Sequence, residues 1–139
     1  MISHPNDLKE WLKQCEGYSN EVYTDSVGKQ TIGYGRNLSD NGISQDEAEL
    51  MLDNDIKDCI QDLSQYIWYL DQPEQVQIAL INMCFNLGLP RLLKFRKMIY
   101  YLCEKDYLHA SIEALDSKWA KQVHGRAKDI AVMIREAKR

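Results

Sequence analysis

No run of 18 apolar residues occurs anywhere in the chain, so nothing in it reads as a membrane-spanning helix. The first ten residues carry His4, Pro5, Asn6 and Asp7 where a secretory leader needs an apolar stretch, which predicts synthesis as a soluble cytoplasmic product. Cysteines number four, Cys15, Cys59, Cys84 and Cys103, widely spaced and without a C-x-x-C pair, a pattern that argues against a zinc site. His4, His109 and His124 share no metal-ligand spacing with cysteine or acidic residues and read as surface positions. We therefore expect no metal and no cofactor. Prolines are only three, and there is no Ser/Gly-rich linker, internal repeat or low-complexity segment, so the chain reads as a single domain whose parts form one cooperative unit.

What is present suits that size. With 139 residues, 45% of them hydrophobic, the chain can build one sizeable core, and its 27% charged and 9% aromatic residues are ordinary for a soluble globular protein. The net charge of −4 is unevenly spread: residues 118–139 carry +5, leaving −9 on residues 1–117. A cationic end can attract an anionic polymer or surface, but an acidic chain as a whole argues against nucleic acid as the main partner. Cys15, Cys59 and Cys84 each continue an apolar helical stripe and are expected as core thiols.

Leu8, Trp11, Leu12 and Cys15 recur at helical spacing, predicting a first helix over 4–15 with Ser3 or Asn6 as its cap, ending at Gly17. From 17 to 43 the character changes: Gly28, Gly33, Gly35 and Gly42 break helical periodicity, while Val22, Tyr23, Thr31, Ile32 and Tyr34 favour extended chain, predicting a small antiparallel sheet. Ser44 to Glu47 form an S-x-x-E capping box, so a long helix is expected from Ser44, with Ala48, Leu52, Ile56, Cys59, Ile60 and Leu63 on one face. Asp71 can cap a further helix from Pro73 that carries Val76, Ala79, Leu80, Met83, Cys84 and Leu87 and stops at Gly88. Helices follow at about 91–103 and 107–116, and a last one at about 125–137 presents Ala127, Ile130, Ala131 and Ile134. The order is helix, small β lobe (17–43), helical lobe (44–139), a mainly helical α+β arrangement in which unlike lobes can face each other across a cleft.

Two carboxylates stand out where that order changes. Glu16 falls at the last turn of the first helix and Asp25 in the loop between the first two strands. Glycosidic hydrolysis needs one carboxylic acid to protonate the leaving oxygen and one carboxylate to assist attack at an oxocarbenium-like centre. With Cys15 and an apolar helix face behind it, Glu16 is expected to keep its proton, whereas Asp25 in a polar turn should stay ionised. Thr31, six residues beyond Asp25, is near enough across a hairpin to hold a water beside that carboxylate. Other clusters read as structural: Tyr66, Trp68 and Tyr69 as a helix end tucked under the core, and Lys94, Arg96 and Lys97 as a solvated basic patch.

The surrounding sequence makes the pattern specific. Glu16-Gly17, Tyr23-x-Asp25-x-x-Gly28 and Thr31-Ile32-Gly33-Tyr34-Gly35 resemble the signature of phage-type lysozymes, the family 24 glycoside hydrolases, with catalytic pattern E-x8-D-x5-T. Residues 79–88 resemble that family's central helix, and Ser117-Lys118-Trp119 with Arg126-Ala127-Lys128 resemble its closing region, so the likeness spans roughly 8–135. The resemblance implies a lysozyme-like fold with the active-site cleft between the two lobes, and an inverting hydrolase in which Glu16 is the general acid, Asp25 activates water or stabilises the transition state, and Thr31 positions the water. Phe85, Asn86 and Arg126 would bind the sugar, Arg126 as the arginine facing the catalytic glutamate.

It further implies a monomeric endolysin that cleaves the β-1,4 bond between N-acetylmuramic acid and N-acetylglucosamine in peptidoglycan, leading to host lysis. Such an enzyme accumulates in the host cytoplasm and reaches the wall after a separate holin opens the membrane, without stable membrane insertion of its own. Three features depart from the family: Arg36 stands where some members carry histidine, the stretch Asn37–Ile43 is short, implying a compact β lobe, and the net charge is acidic where many lysozymes are basic. A lytic transglycosylase, which needs one acidic catalyst, and a non-catalytic wall-binding module remain as alternatives.

Overall fold

A computed structural model describes residues 5–138 of the chain, the side chains of the first two of these excepted. It is mainly helical with one small antiparallel sheet, and divides into two compact units, Met1–Leu50 and Met51–Arg139. Ser3 and His4 lie outside the described residues, as does the side chain of Asn6. No helix among the described residues is long and apolar enough to cross a membrane.

The first unit opens with α1 (Pro5–Glu16). Gly17 ends it at φ +69°, a left-handed conformation that glycine adopts without a Cβ penalty, and donates its N–H to Lys13 O at 2.9 Å. Three strands follow in the order β1 (Ser19–Thr24), β2 (Gln30–Gly33), β3 (Arg36–Asn37), all antiparallel, with Tyr23 opposite Thr31 and Thr31 opposite Asn37. A short α2 (Leu38–Asn41) comes next, where no helix was expected. Four residues are too few to show periodicity; its signal is the cap, Asn37 Oδ1 accepting from Asp40 N at 3.0 Å.

The capping box forms as expected. Ser44 Oγ accepts from Glu47 N at 3.1 Å while Ser44 N donates to Glu47 Oε1 at 2.8 Å, starting α3 (Gln45–Leu63), which runs from the first unit into the second. Arg36 grips the same carboxylate with both guanidinium ends, Nη1 to Oε1 at 2.8 Å and Nη2 to Oε2 at 2.5 Å, and also donates to Gly42 O at 3.1 Å. One side chain thereby ties β3, the Gly42 turn and the start of α3 together. These contacts hold the Glu47 carboxyl at about 2, the Arg36 hydrogen bond first and the Ser44 amide next.

The second unit holds the core. Its further helices are α4 (Ile67–Leu70), α5 (Glu74–Leu87), α6 (Leu89–Leu92), α7 (Arg96–Cys103), α8 (Tyr107–Leu115), α9 (Lys118–Val123) and α10 (Gly125–Arg135). α5 contacts α4, α6 and α10, and its expected face, Val76, Ala79, Leu80, Met83, Cys84 and Leu87, is buried throughout, as are Ala127, Ile130, Ala131 and Ile134 of α10. Each such large side chain contributes about 1.5–3 kcal/mol through removal from water.

Several details differ from expectation. Asp71 closes α4 and does not cap α5, whose preceding residue is Pro73 with no side-chain cap. The segment expected as one helix over 91–103 is two, separated around Phe95, and α9 was not anticipated because six residues give under two turns of pattern. All four cysteines are free; Cys84 is buried, and burial pushes its thiol up to about 12, leaving it protonated and inert, while Cys59 is half-buried beside it. Cys15, expected in the core, is exposed. Its stripe partners Leu8, Trp11 and Leu12 are exposed too; Leu8 and Leu12 line a pocket with Tyr34, while Lys13 and Glu16 contact the turn between β2 and β3.

Candidate active site

The first unit carries Glu16, Asp25 and Thr31. Glu16 ends α1, and its side chain lies against the backbone of Gly35, which sits at φ +75° in the turn joining β2 and β3. A Cβ added to Gly35 would stand 2.5 Å from Glu16 Oε2 and 2.9 Å from its Cδ, so only glycine allows this approach. One turn earlier, Lys13 Nζ lies 5.4 Å from the centre of the Tyr34 ring, and Tyr34 packs on Tyr18 at 5.3 Å. The Gly33-Tyr34-Gly35 turn thus locates the end of α1 through one cation–π contact and one close backbone approach. The apolar enclosure expected around Glu16 is not provided by its own unit: Glu16 is exposed, as are Cys15 and the stripe before it.

Asp25 opens the tight turn between β1 and β2. Its Oδ1 accepts from Val27 N at 3.0 Å and Lys29 N at 2.8 Å, and its carbonyl accepts from Gly28 N at 3.1 Å. An aspartate suits the position because its short carboxylate can satisfy two turn amides at once. The other oxygen, Oδ2, accepts no bond among the described residues. Thr31 is buried, 3% exposed, and its hydroxyl donates to Lys29 O at 3.0 Å. The same carbonyl accepts Asp25 N at 2.9 Å. Asp25 and Thr31 are therefore locked to one another through a single backbone group, and the Thr31 oxygen, its proton committed, has only lone pairs left to offer.

Phe85, Asn86 and Arg126 belong to the second unit. Phe85 and Asn86 are exposed at the last turn of α5, and Asn86 Oδ1 accepts the indole N–H of Trp119 at 2.7 Å. Arg126, in the first turn of α10, donates from Nε to Asn82 Oδ1 at 2.8 Å and from Nη2 to Asn82 O at 3.4 Å. The sequence singled out Asn86 and Arg126 as candidate sugar-binding residues but not their hydrogen-bond partners, Trp119 and Asn82. Asn82 stands one turn before Asn86, and that i, i+4 spacing of two amides within the otherwise apolar stretch 78–87 was the available signal. Lys94, Arg96 and Lys97, expected as a solvated patch, line a pocket of about 350 Å³ together with Glu113 and Asp116.

Comparison with known proteins agrees with these elements. The model of the phage lysozyme family matches residues 13–138. The pre-baseplate central spike protein Gp5 of Enterobacteria phage T4 is 26% identical over 94% of this chain, which spans 28% of the spike protein's length. Two relatives described as probable T4-type lysozymes 2 and 1, from Dictyostelium discoideum, are 26% and 23% identical over 88% and 93% of this chain, covering 89% and 94% of their own lengths. The alignment with the second of these runs over 159 positions against 139 residues here, so that relative carries insertions which this chain lacks. A match of this extent, on a chain with the E-x8-D-x5-T spacing, assigns the protein to the phage lysozyme family, a family of glycosidases.

Proposed function

We propose that this chain is a muramidase of the endolysin type, hydrolysing the β-1,4 bond between N-acetylmuramic acid and N-acetylglucosamine in peptidoglycan. The observation that carries the reading is the fixed pairing of Asp25 with Thr31 on the Lys29 carbonyl, in the same unit as a Glu16 carboxylate open to solvent. Glu16 donates its proton to the glycosidic oxygen as the bond to the anomeric carbon breaks. A water donates one hydrogen bond to the Thr31 hydroxyl oxygen and its other proton to Asp25, which leaves the water's lone pair for the anomeric carbon. Phe85, Asn86 and Arg126 hold the glycan, the first by ring contact and the others by hydrogen bonds, while Asn82 and Trp119 keep the polar pair in place. The two units act as the lobes of one monomeric lysozyme domain.

In this reading the enzyme accumulates in the host cytoplasm and acts on the wall once a holin opens the membrane, without inserting stably itself and without a cofactor. Purified peptidoglycan incubated with the protein should release reducing sugar ends. The Glu16→Gln variant should release at least about a hundredfold less, the low end of what a general acid contributes. Equal release by the variant contradicts the role given to Glu16.

The likeness to the spike protein favours one further reading, in which this lysozyme works as part of a phage particle. Producing the protein in a host together with a holin separates the two. Lysis from within supports the endolysin, and intact cells beside active purified protein support the particle role.

A further inference from the structure

The second unit contains a pocket that includes none of the residues placed in the reaction above. About 460 Å³ in volume, within the range of roughly 300–1,000 Å³ typical of small-ligand sites, it is lined by Gln65, Tyr66, Trp68, Asp71, Gln72 and Lys105, among others. The rings of Tyr66 and Trp68 lie 5.4 Å apart at 33°, packed on one another in a tilted stack. The sequence alone suggested that this cluster was tucked under the core. Tyr69 is buried there and Trp68 packs against the core, but Tyr66 and Trp68 stay partly open, and neither the Tyr66 hydroxyl nor the Trp68 indole N–H has a hydrogen-bond partner among the described residues.

The pocket is rigidly built. Gln72, 6% exposed, donates from Nε2 to Trp68 O at 2.7 Å and Leu102 O at 3.0 Å, while its Oε1 accepts from Tyr107 at 2.8 Å, so the backbone under Trp68 is fixed to α7 and α8 at once. Lys105 adopts φ +58°, a left-handed conformation that costs a lysine energy, and from there its Nζ donates to Asp71 O.

The chemistry of the lining selects its ligand. The one cation, Lys105, spends its amine on a backbone carbonyl, and Asp71 adds negative charge, so a phosphate or carboxylate gains little here. A partly open aromatic pair beside exposed Gln65 and Asp71 suits a molecule with a flat C–H face and a ring of neutral hydrogen-bonding groups, which describes a pyranose. We propose that this pocket is an accessory saccharide site, stacking an N-acetylated sugar of a glycan strand on Tyr66 and Trp68 with its hydroxyl and acetamide groups reaching Gln65 and Asp71. Which saccharide binds is taken from the muramidase reading; the recognition chemistry stands on the pocket.

The test titrates the Glu16→Gln protein, to suppress hydrolysis, with the β-1,4-linked tetramer of N-acetylglucosamine, following the Trp68 indole N–H by NMR. That signal is identified by its loss in Trp68→Phe. A saturable shift of the Trp68 signal is expected, and Tyr66→Ala should weaken the binding it reports by about fivefold. A Trp68 signal that stays in place to 20-fold above the concentration at which other residues saturate, or moves with unchanged affinity in Tyr66→Ala, overturns the proposal. The titration of unsubstituted Tyr66 decides the matter even if the Tyr66→Ala chain fails to fold. Failure of the wild type to cleave peptidoglycan would overturn the muramidase reading and leave this titration untouched.

Discussion

The Cα of Gly35 lies so close to Glu16 that a β-carbon there would stand 2.5 Å from the carboxylate oxygen Oε2. Gly35→Ala should therefore act twice. Its φ of +75° costs an alanine about 1–2 kcal/mol, and the methyl group must push the Glu16 carboxylate away. Gly42→Ala is the control: it carries φ +58° with nothing within 4 Å of the added carbon. Both variants should melt at lower temperature than wild type, but only Gly35→Ala should lose at least about tenfold in peptidoglycan cleavage, as expected when a reacting group is misplaced. Equal activity of the two variants would show that the contact does not position Glu16.

Asp25 has a structural duty separable from its charge. Asparagine keeps an acceptor oxygen for the amides of Val27 and Lys29, whereas alanine keeps none. Asp25→Ala should cost about 1–3 kcal/mol, two hydrogen bonds at about 0.5–1.5 each, and Asp25→Asn much less, while both lose most of their activity. Denaturant titration beside a sugar-release assay separates the effects. An active Asp25→Asn would remove the carboxylate from the mechanism and favour the transglycosylase alternative.

The Arg36–Glu47 pair sets a pH dependence. The folded-state carboxyl of Glu47, near 2, lies below its ordinary 4.5, so its stabilising contribution is complete above about 4.5 and is lost as the pH falls towards 2. Between those limits the wild type should lose stability more steeply than Glu47→Gln, which cannot titrate there. Thermal melts at half-unit steps from pH 2 to 6 measure this. Parallel curves would mean that the pair does not contribute in solution, as holds for many exposed ion pairs.

Lys105 occupies a left-handed position where a helix end ordinarily takes glycine. Asp106 N bonds to Tyr101 O at 2.9 Å and Lys105 N to Leu102 O at 3.1 Å, the paired bonds of a Schellman end. Lys105→Gly and Lys105→Ala both remove the amine from Asp71 O, but only glycine relieves the backbone. Lys105→Gly should thus exceed Lys105→Ala in unfolding free energy by about 1 kcal/mol, and alanine equal to glycine would place the residue outside the left-handed region in solution.

What the sequence revealed and concealed follows from the range of each interaction. The capping box at Ser44 and Glu47, the buried face of α5 and the helix stop at Gly17 are local patterns, set within a few residues, and all were legible. The second role of Glu47, as the partner of Arg36 eleven residues away, was not, because it depends on how β3 meets α3. Thr31 and Asp25 could be paired by spacing, but the Lys29 carbonyl that joins them is a backbone group with no signature in side-chain identity. The stripe of Leu8, Trp11 and Leu12 predicted a helix correctly and burial incorrectly, since periodicity fixes which residues share a face and says nothing of what covers it.

The most direct test of the central claim is the mass of the muropeptides released from purified peptidoglycan by the wild type and by Glu16→Gln. Hydrolysis through Glu16 requires wild-type products that carry the added water at a reducing N-acetylmuramic acid end, and almost no products from the variant. Products lacking that water, or equal yields from the two proteins, would contradict it.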